Sequence, residues 1–453
     1  MFIDQLNSRA QACQLEYIPD DITQQAKLCI LDTIGCIVAG MQDDTAKFLV
    51  APGNTAATVN NSATVFVHGH KLPIRDAVLA NGYAGDILEL NDLIGGHASI
   101  GCVTAALAAA EISRSSGRTL IEAVVRALES TASVYNVIYP SLKPYNEVGM
   151  TPVGIPSSVG AAAGVAHLYD LDSETTRHAL AIACALAGWC PSEVIFRQGG
   201  TFKPMLFGAQ PAATALDAVQ YAQRGMTGPL EILDGELGYF STVSTHGRQD
   251  ACVNKNHWIL RSPRRKMHAC CGYIHSAADA LSALRTESDS TLEDVEIKVK
   301  VPEYVHKSVS KTVLPSTPNE ARFDIRYCLA VIACGANVIT PEHSLNLQEQ
   351  IKRPDVQRMM SRITVIPDTQ LTHYERSHVT IRHRTSGQTI TKTQNAPRGA
   401  PSLPLTKQDL IDKFLLLTQW CIPTDQALRY AQQILSLETA ENIDWIFTGL
   451  QHS

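Results

Sequence analysis

The sequence has little charge for its length and lacks a dense basic tract. Charged residues make up 18% of the 453 positions, and the formal net charge is −6. The nearest approach to a basic run consists of Arg261, Arg264, Arg265 and Lys266, which is too short to neutralise a row of phosphates. We therefore expect no nucleic-acid partner, and an anionic small molecule suits this local patch better.

The sequence also lacks the features of export and of a membrane span. Residues 1–5 do not provide the basic start and apolar core of a secretory signal. The longest apolar stretches, 98–112 and 179–190, fall short of the roughly 18–20 residues that a span needs. These absences predict a cytoplasmic protein with no membrane partner.

Cofactor and metal motifs are missing as well. The 12 cysteines are scattered and include no CxxC pair, so we expect reduced thiols that behave as small hydrophobic side chains. No GxGxxG follows a strand-like run, and the loop before Lys203 does not have Walker A spacing. The sequence therefore predicts no metal and no organic cofactor.

What the sequence does contain is helical periodicity over its first half. Apolar residues make up 45% of the chain, which is long enough for two cores. Helical spacing runs from Asp21 to Gly40, and alanine-rich helical stretches follow at 72–85, 98–116, 118–138, 157–170, 174–190 and 207–224. The many small residues on these helices predict closely packed helix pairs.

The pattern changes after Ser262. Residues 295–301 alternate between apolar and charged, 363–366 form a second β-like run, and 379–391 contain a third that turns at Ser386-Gly387. Helical spacing returns at 409–420 and 424–437. We predict a mainly α protein, with a large all-helical domain of residues 1–262 and 401–453 plus a smaller α+β domain of residues 263–400.

The first segment with chemical potential lies just before an alanine-rich helix. Glu89, Asn91, Asp92 and His97 stand there beside a pair of glycines. Acids next to a histidine near a helix start suit acid/base chemistry and anion binding. A helix-capping loop with a surface histidine is the alternative interpretation.

Two further segments carry reactive side chains. Lys203 follows an apolar helix, and its alternative interpretation is a solvated loop lysine. The stretch 266–275 holds Lys266, Cys271 and His275 within ten residues. Adjacent cysteines do not easily point at one tetrahedral zinc, and no further ligand pair lies at suitable spacing, so this composition does not favour a metal site.

Taken in order, these segments resemble the MmgE/PrpD family, which includes 2-methylcitrate dehydratases, cis-aconitate decarboxylases and iminodisuccinate epimerases. The similar stretches are 88–92, 97–100, 203–209, 225–229 and 233–239, while 97–100 and 266–275 especially resemble fungal cis-aconitate decarboxylases. The resemblance implies a large helical domain built from both chain ends, a smaller α+β lid domain, a homodimer, and no metal or organic cofactor.

The resemblance also implies a site, in which the catalytic residues are His97, Asp92, Lys203 and Lys266 and the substrate-binding residues are Glu89, Asn91, Thr151, Cys271, His275 and Tyr327. Asn91 stands where the family commonly has an aspartate, and Leu93 where a small hydroxyl residue is frequent. Thr151 falls nearest to the position of a family histidine. Because a threonine hydroxyl does not titrate near neutral pH, a step that needs that histidine must use another group or not occur.

This site suggests a mechanism for small polycarboxylates. Lys203 and Lys266, helped by Arg264 or Arg265, would hold substrate carboxylates, and His97 would act as the acid/base. We expect Asp92 or Glu89 to orient His97.

Several reactions remain open for a cofactor-independent lyase of this kind. Decarboxylation of a cis-aconitate-type acid ranks first, with dehydration of 2-methylcitrate or an alkylcitrate close behind. Epimerisation of a dicarboxylate ranks third, because it needs two bases on opposite faces. A non-catalytic homologue that only binds such acids is the alternative from a different class.

Overall fold

The computed structural model describes residues 1–50, 61–191, 201–249, 251–254, 257–288 and 292–451. Buried apolar side chains in this part of the chain form two large cores. The first draws on residues between 2 and 269 and again between 410 and 450, and the second on residues between 270 and 381. The predicted fold class, mainly α with a smaller α+β part, is confirmed. The domain boundaries at 262/263 and 400/401 stay a prediction.

The first core is built mainly from helices that lie where the apolar spacing predicted them. In chain order the elements are α1 Phe2–Gln11, α2 Asp20–Gly40, α3 Asp44–Val50, β1 Ser62–Thr64, β2 Lys71–Pro73, α4 Ile74–Ile87, α5 Ala98–Ser113, α6 Gly117–Ile138, α7 Tyr145–Val148, α8 Gly154–Leu168, α9 Ser173–Leu186, a π turn Met205–Ala209, α10 Gln210–Gln223 and α11 Tyr239–Val243. Strands β1 and β2 pair antiparallel, a short ribbon that the expectation of an all-helical domain did not include.

The small residues do allow close helix packing, as predicted. A Cβ added to Gly40 of α2 would lie 1.8 Å from the carbonyl oxygen of Ala84 on α4. Likewise, a Cβ on Gly160 of α8 would lie 2.3 Å from the carbonyl oxygen of Ala127 on α6. Only glycine fits at either place, so these helix axes lie closer than larger side chains permit.

The second core surrounds a four-stranded sheet. Its elements are α12 Gly272–Ser288, β3 Val295–Val301, α13 Glu303–Val309, α14 Pro318–Arg322, α15 Ile325–Ala333, α16 Pro341–Leu345, α17 Leu347–Gln350, α18 Pro354–Ser361, β4 Ile363–Pro367, β5 Ser377–His383 and β6 Thr389–Gln394. The strand order is β4-β3-β5-β6, with β3 and β4 parallel and the other pairs antiparallel. The strands predicted from period-two alternation are therefore confirmed.

The chain then returns to the first core through α19 Lys407–Thr418, α20 Thr424–Leu435 and α21 Asp444–Thr448. Helix α19 packs against α2, so an element from the end of the chain contacts one from its beginning. By length and composition alone, α2 is apolar enough to cross a membrane, but 89% of its most apolar window is buried inside the protein. In the structure α2 is a core helix.

Candidate active site

The site begins at the carboxyl end of α4. Asp86 lies in the last turn of that helix and is fully buried. Glu89 follows with a φ of 55°, a left-handed conformation that costs free energy in a residue with a side chain. Gly95 and Gly96 have φ values of 57° and 86°, which glycine adopts without strain. These turns place His97 directly before α5.

Lys203 reaches the same place from another part of the chain. It precedes the π turn Met205–Ala209, an irregularity frequent at functional sites. This turn approaches α4 closely, since a Cβ on Gly208 would lie 2.5 Å from the carbonyl oxygen of Gly82 and 3.0 Å from Cβ of Asp86. The two glycines thus allow the backbone contact that brings Lys203 to Asp86.

Five side chains form a continuous series of polar contacts, which we name the ion chain: His97, Asp86, Lys203, Glu89 and Lys266. Nδ1 of His97 lies 3.1 Å from Oδ1 of Asp86, whose Oδ2 lies 2.8 Å from Nζ of Lys203. Lys203 also contacts Oε1 of Glu89. Oε2 of Glu89 lies 3.0 Å from Nζ of Lys266, which donates to the carbonyl oxygen of Glu89 as well. The structure therefore brings together four predicted site residues and adds Asp86.

His97 is the end of the ion chain that solvent reaches. Its side chain is 15% exposed, whereas those of the other four members are between 0% and 4% exposed. The ring contacts Phe207, with ring centroids 5.2 Å apart. Because the carboxylate of Asp86 accepts a hydrogen bond, Nδ1 carries the hydrogen and Nε2 is the basic nitrogen. The side-chain oxygen Oδ1 of Asn91 also lies 3.4 Å from Nδ1 and can accept from it.

Burial and charge set the protonation states along the ion chain. Burial, followed by the positive charge of Lys203, lowers the pKa of His97. Burial opposes the charged forms of Lys203 and Glu89. The carboxylates of Asp86 and Glu89 outweigh it at Lys203 and raise the pKa of that lysine, and the ammonium groups of Lys203 and Lys266 outweigh it at Glu89 and lower the pKa of that carboxyl. With two carboxylates, two ammonium groups and a neutral imidazole, the ion chain has no net charge near neutral pH.

Asp92 lies in a second group of buried charges, which we name the deep cluster: Asp32, Asp92, Arg265 and Lys413. Nε of Arg265 lies 3.4 Å from Oδ2 of Asp92, and Nζ of Lys413 lies 2.6 Å from Oδ1 of Asp32. Burial and the nearby Asp32 carboxylate raise the pKa of Asp92 to about 7. The carboxylate that contacts His97 is thus Asp86, whereas the sequence led us to expect Asp92 or Glu89.

The two arginines proposed as helpers have other partners. Arg265 donates to Oε1 of Gln25 at 2.6 Å and contacts the thiol of Cys29. Arg264 pairs with Glu375. The backbone of Arg264, and not its side chain, contacts the loop before α5. Its carbonyl oxygen accepts a 2.9 Å hydrogen bond from the amide of Leu93. This bond joins the loop before α5 to the segment that carries Lys266.

Cys271 and His275 lie on the second core's side of Lys266. Burial, with Glu89 nearby, raises the pKa of the Cys271 thiol to about 12, so this cysteine remains a thiol. Nε2 of His275 contacts the carbonyl oxygen of Cys270 at 3.2 Å, which leaves Nδ1 as an acceptor. Burial and neighbouring His268 and Lys266 hold the pKa of His275 well below its usual value.

Thr151 borders the site, and Tyr327 lies in the second core. The amide of Thr151 donates to the carbonyl oxygen of Cys190 at 2.9 Å. Burial raises the pKa of the Cys190 thiol to about 12, and the charges of Lys203 and Asp86 also act on that pKa. The hydroxyl of Tyr327 donates to the carbonyl oxygen of His343. The place of Tyr327 among the substrate-binding residues stays a prediction.

Sequence analysis missed Asp86, although a signal was present. It is a lone carboxylate in an otherwise apolar stretch and stands three residues before Glu89. Such a position is costly unless the charge is paired.

For metal binding, the described residues contain no group of three or more histidine, cysteine, aspartate or glutamate side chains that could hold an ion.

Two family models match this chain. The model of the MmgE/PrpD N-terminal domain matches residues 4–251, and that of the MmgE/PrpD C-terminal domain matches residues 268–439. The cis-aconitate decarboxylase-like protein oryM of Aspergillus oryzae is 21% identical over 462 residues, covering 94% of this chain and 92% of the relative.

Two cis-aconitate decarboxylases are similar to the same extent. The protein from Homo sapiens is 22% identical over 459 residues, covering 96% of this chain and 91% of the relative. The protein from Aspergillus terreus is 22% identical over 455 residues, covering 94% of this chain and 91% of the relative. Since the two domain models together span most of the sequence, the chain belongs to the MmgE/PrpD family.

Proposed function

We propose that this protein is a lyase that decarboxylates a cis-aconitate-type tricarboxylate. The observation that carries the proposal is the ion chain, in which the partly exposed His97 is linked through Asp86 to the buried Lys203, and Lys203 is linked through Glu89 to the buried Lys266. The names of the similar full-length relatives support the same reaction.

The charge balance explains how such a site would receive its substrate. In the structure Lys203 is paired with Asp86 and Glu89, and Lys266 is paired with Glu89. A tricarboxylate would compete for the ammonium groups, and ammonium–carboxylate contacts are strong where water is excluded. The added negative charge beside His97 would also raise the pKa of its imidazole, so binding itself favours protonation of Nε2.

Decarboxylation then needs a proton donor and charge stabilisation. The bond between the leaving carboxylate and the substrate carbon breaks, carbon dioxide departs, and the electron pair remains on the substrate. Protonated His97 delivers the Nε2 proton to that carbon, while the lysines stabilise the remaining carboxylates. Asp86 holds the imidazole through Nδ1 and stabilises its charged form.

Dehydration of 2-methylcitrate or a longer alkylcitrate is the second candidate. The lowered pKa of His97 favours it, because a neutral imidazole in the free enzyme is a competent base for removing a proton from carbon. In this reaction Nε2 takes the carbon-bound proton, the carbon–oxygen bond breaks, and protonated His97 gives that proton to the departing hydroxide, so that water is lost.

A direct assay separates these reactions. Purified protein, dialysed against a chelator, is incubated with cis-aconitate, 2-methylcitrate and a longer alkylcitrate, and carbon dioxide and product masses are followed. The test variant is His97→Gln. A matched control is His167→Gln, because His167 is also paired with a carboxylate, 2.9 Å from Glu122, but on helix α8.

The outcomes are distinct. Carbon dioxide release that His97→Gln abolishes and His167→Gln retains supports the decarboxylase. Loss of water without carbon dioxide supports the dehydratase. If the folded wild-type protein changes none of the three acids but still binds them, the ion chain acts in a non-catalytic homologue and both catalytic proposals are wrong.

A further inference from the structure

Lys413 is a buried lysine that connects three distant parts of the chain. It lies on α19, and its side chain is 2% exposed. Its Nζ donates to the carbonyl oxygen of Leu90 and to that of Lys266, each at 2.8 Å, and lies 2.6 Å from Oδ1 of Asp32. Two of the three ammonium hydrogens are thus donated to backbone carbonyl groups, and the Asp32 carboxylate balances the charge.

The two carbonyl groups that Lys413 binds belong to the backbone of the ion chain. Leu90 directly follows Glu89, and Lys266 is itself a member. The Glu89 and Lys266 side chains form the 3.0 Å pair at the buried end of the chain. The Lys413 ammonium group therefore binds both backbone segments that carry the Glu89–Lys266 pair.

The residues that Lys413 joins lie far apart in the sequence. Lys413 is 323 residues from Leu90 and 147 residues from Lys266. The counterion of Lys413 is Asp32, which lies on α2. The N–H groups of the same ammonium bind the carbonyl oxygens of Leu90 and Lys266. Removing the ammonium would leave two buried carbonyl oxygens without this donor and the Asp32 carboxylate without its cation, close to Asp92.

We propose that Lys413 is a positioning residue that fixes the separation of the Glu89 carboxylate and the Lys266 ammonium group. It acts through the backbone and does not touch the substrate. The consequence for catalysis rests on the proposed function, because a misplaced Lys266 matters most if it holds a substrate carboxylate. A displacement of about 1 Å at such a group reduces catalytic efficiency by about 10–100-fold.

The chain offers a matched control for simple loss of a buried lysine. Lys27 on α2 is also fully buried, and its Nζ donates to the carbonyl oxygen of Leu435 and to both oxygens of Glu438. Lys27→Met therefore removes a comparable set of bonds away from the ion chain. Lys413→Met and Lys27→Met should lower the melting temperature by similar amounts.

The test measures the Glu89–Lys266 distance in crystal structures of both variants, together with kcat/KM for the accepted acid. We expect the pair to separate beyond hydrogen-bond reach in Lys413→Met and to remain in Lys27→Met. Lys413→Arg, which keeps the charge and several donors, should restore part of the activity. If Lys413→Met does not fold, Lys413→Gln, with two N–H donors, serves in the same comparison.

An unchanged Glu89–Lys266 distance in the folded Lys413 variant would overturn the proposal. Equal losses of kcat/KM in the Lys413 and Lys27 variants would also contradict it, because they would indicate a general effect on stability. The distance needs no substrate, so it still decides the role of Lys413 if the wild-type protein turns over none of the acids tested.

Discussion

The ammonium group of Lys203 lies 2.8 Å from Oδ2 of Asp86, while the other oxygen of the same carboxylate lies 3.1 Å from Nδ1 of His97. One carboxylate thus serves the lysine and the histidine together. This arrangement couples the group that would transfer a proton to a group that would bind the substrate.

Replacement of Asp86 with asparagine should impair turnover by removing the anion that orients and stabilises protonated His97. We expect kcat/KM to fall by about 10²-fold or more, the range typical of general acid–base catalysis. Steady-state kinetics on the accepted acid measures this. Glu122→Gln, which alters the His167 pair on α6 and α8, is the control. Near wild-type turnover by Asp86→Asn would rule out the assigned role.

A methyl group at Gly208 should separate the π turn from α4. The added Cβ would lie 2.5 Å from the carbonyl oxygen of Gly82, and overpacking of this kind typically costs about 1–3 kcal/mol. Gly208→Ala should therefore lower both the melting temperature and kcat/KM. At Gly188 no heavy atom lies within 4 Å of an added Cβ, so Gly188→Ala should change neither. Equal stability of the two variants would contradict the close approach.

The pH dependence of the reaction should differ between free and substrate-bound protein. Burial and Lys203 lower the pKa of His97 in the free protein, and a bound polycarboxylate raises it again. We expect the His97 pKa from kcat/KM to lie below 6.5, the ordinary histidine value, and that from kcat to lie higher. Identical apparent pKa values in the two profiles would argue against substrate-assisted protonation.

Asp92 should make the folded protein less stable as the pH rises. Its pKa is about 3.9 in an unfolded chain, and burial and Asp32 raise it to about 7 in the folded state. The folded protein binds this proton more tightly, so the stability contribution is present below pH ~4 and is lost as the pH rises through about 7. Asp92→Asn cannot ionise and should escape the loss.

Denaturant unfolding between pH 4 and 8 measures this effect. Between pH 4 and 8 the free energy of unfolding of Asp92→Asn should rise by about 2–4 kcal/mol relative to that of the wild type, because one pKa unit corresponds to about 1.4 kcal/mol. Asp172→Asn is the control, because hydrogen bonds from Thr175 lower the pKa of Asp172. The contribution of Asp172 to the free energy of unfolding should therefore be lost as the pH falls, opposite to that of Asp92. A pH-independent difference between Asp92→Asn and wild type would show that Asp92 is ionised throughout.

Much of this architecture could be predicted from periodicity. The alternation at 295–301 corresponds to β3, and the alanine-rich spacing at 118–138 lies within α6. These patterns are local, because each reports which side of one element faces a core. The β1–β2 ribbon was missed, since strands of three residues are too short to show a period.

The ordered motifs also predicted where reactive residues would gather. Glu89, His97, Lys203 and Lys266 do meet in one ion chain. Sequence order could not say which carboxylate contacts which cation, however. Asp92 is only three residues from Glu89, yet a turn with a left-handed Glu89 sends the two side chains to different clusters.

The sequence by itself determined the family, the helical and strand segments, and the residue types that meet at the site, because these depend on local spacing and on motif order. Tertiary structure alone decided that Asp86 contacts His97, that Asp92 belongs to the deep cluster, and that Lys413 binds the backbone of Leu90 and Lys266. The physical reason is that buried charges choose partners by distance in space, and the fold brings together groups that lie hundreds of residues apart.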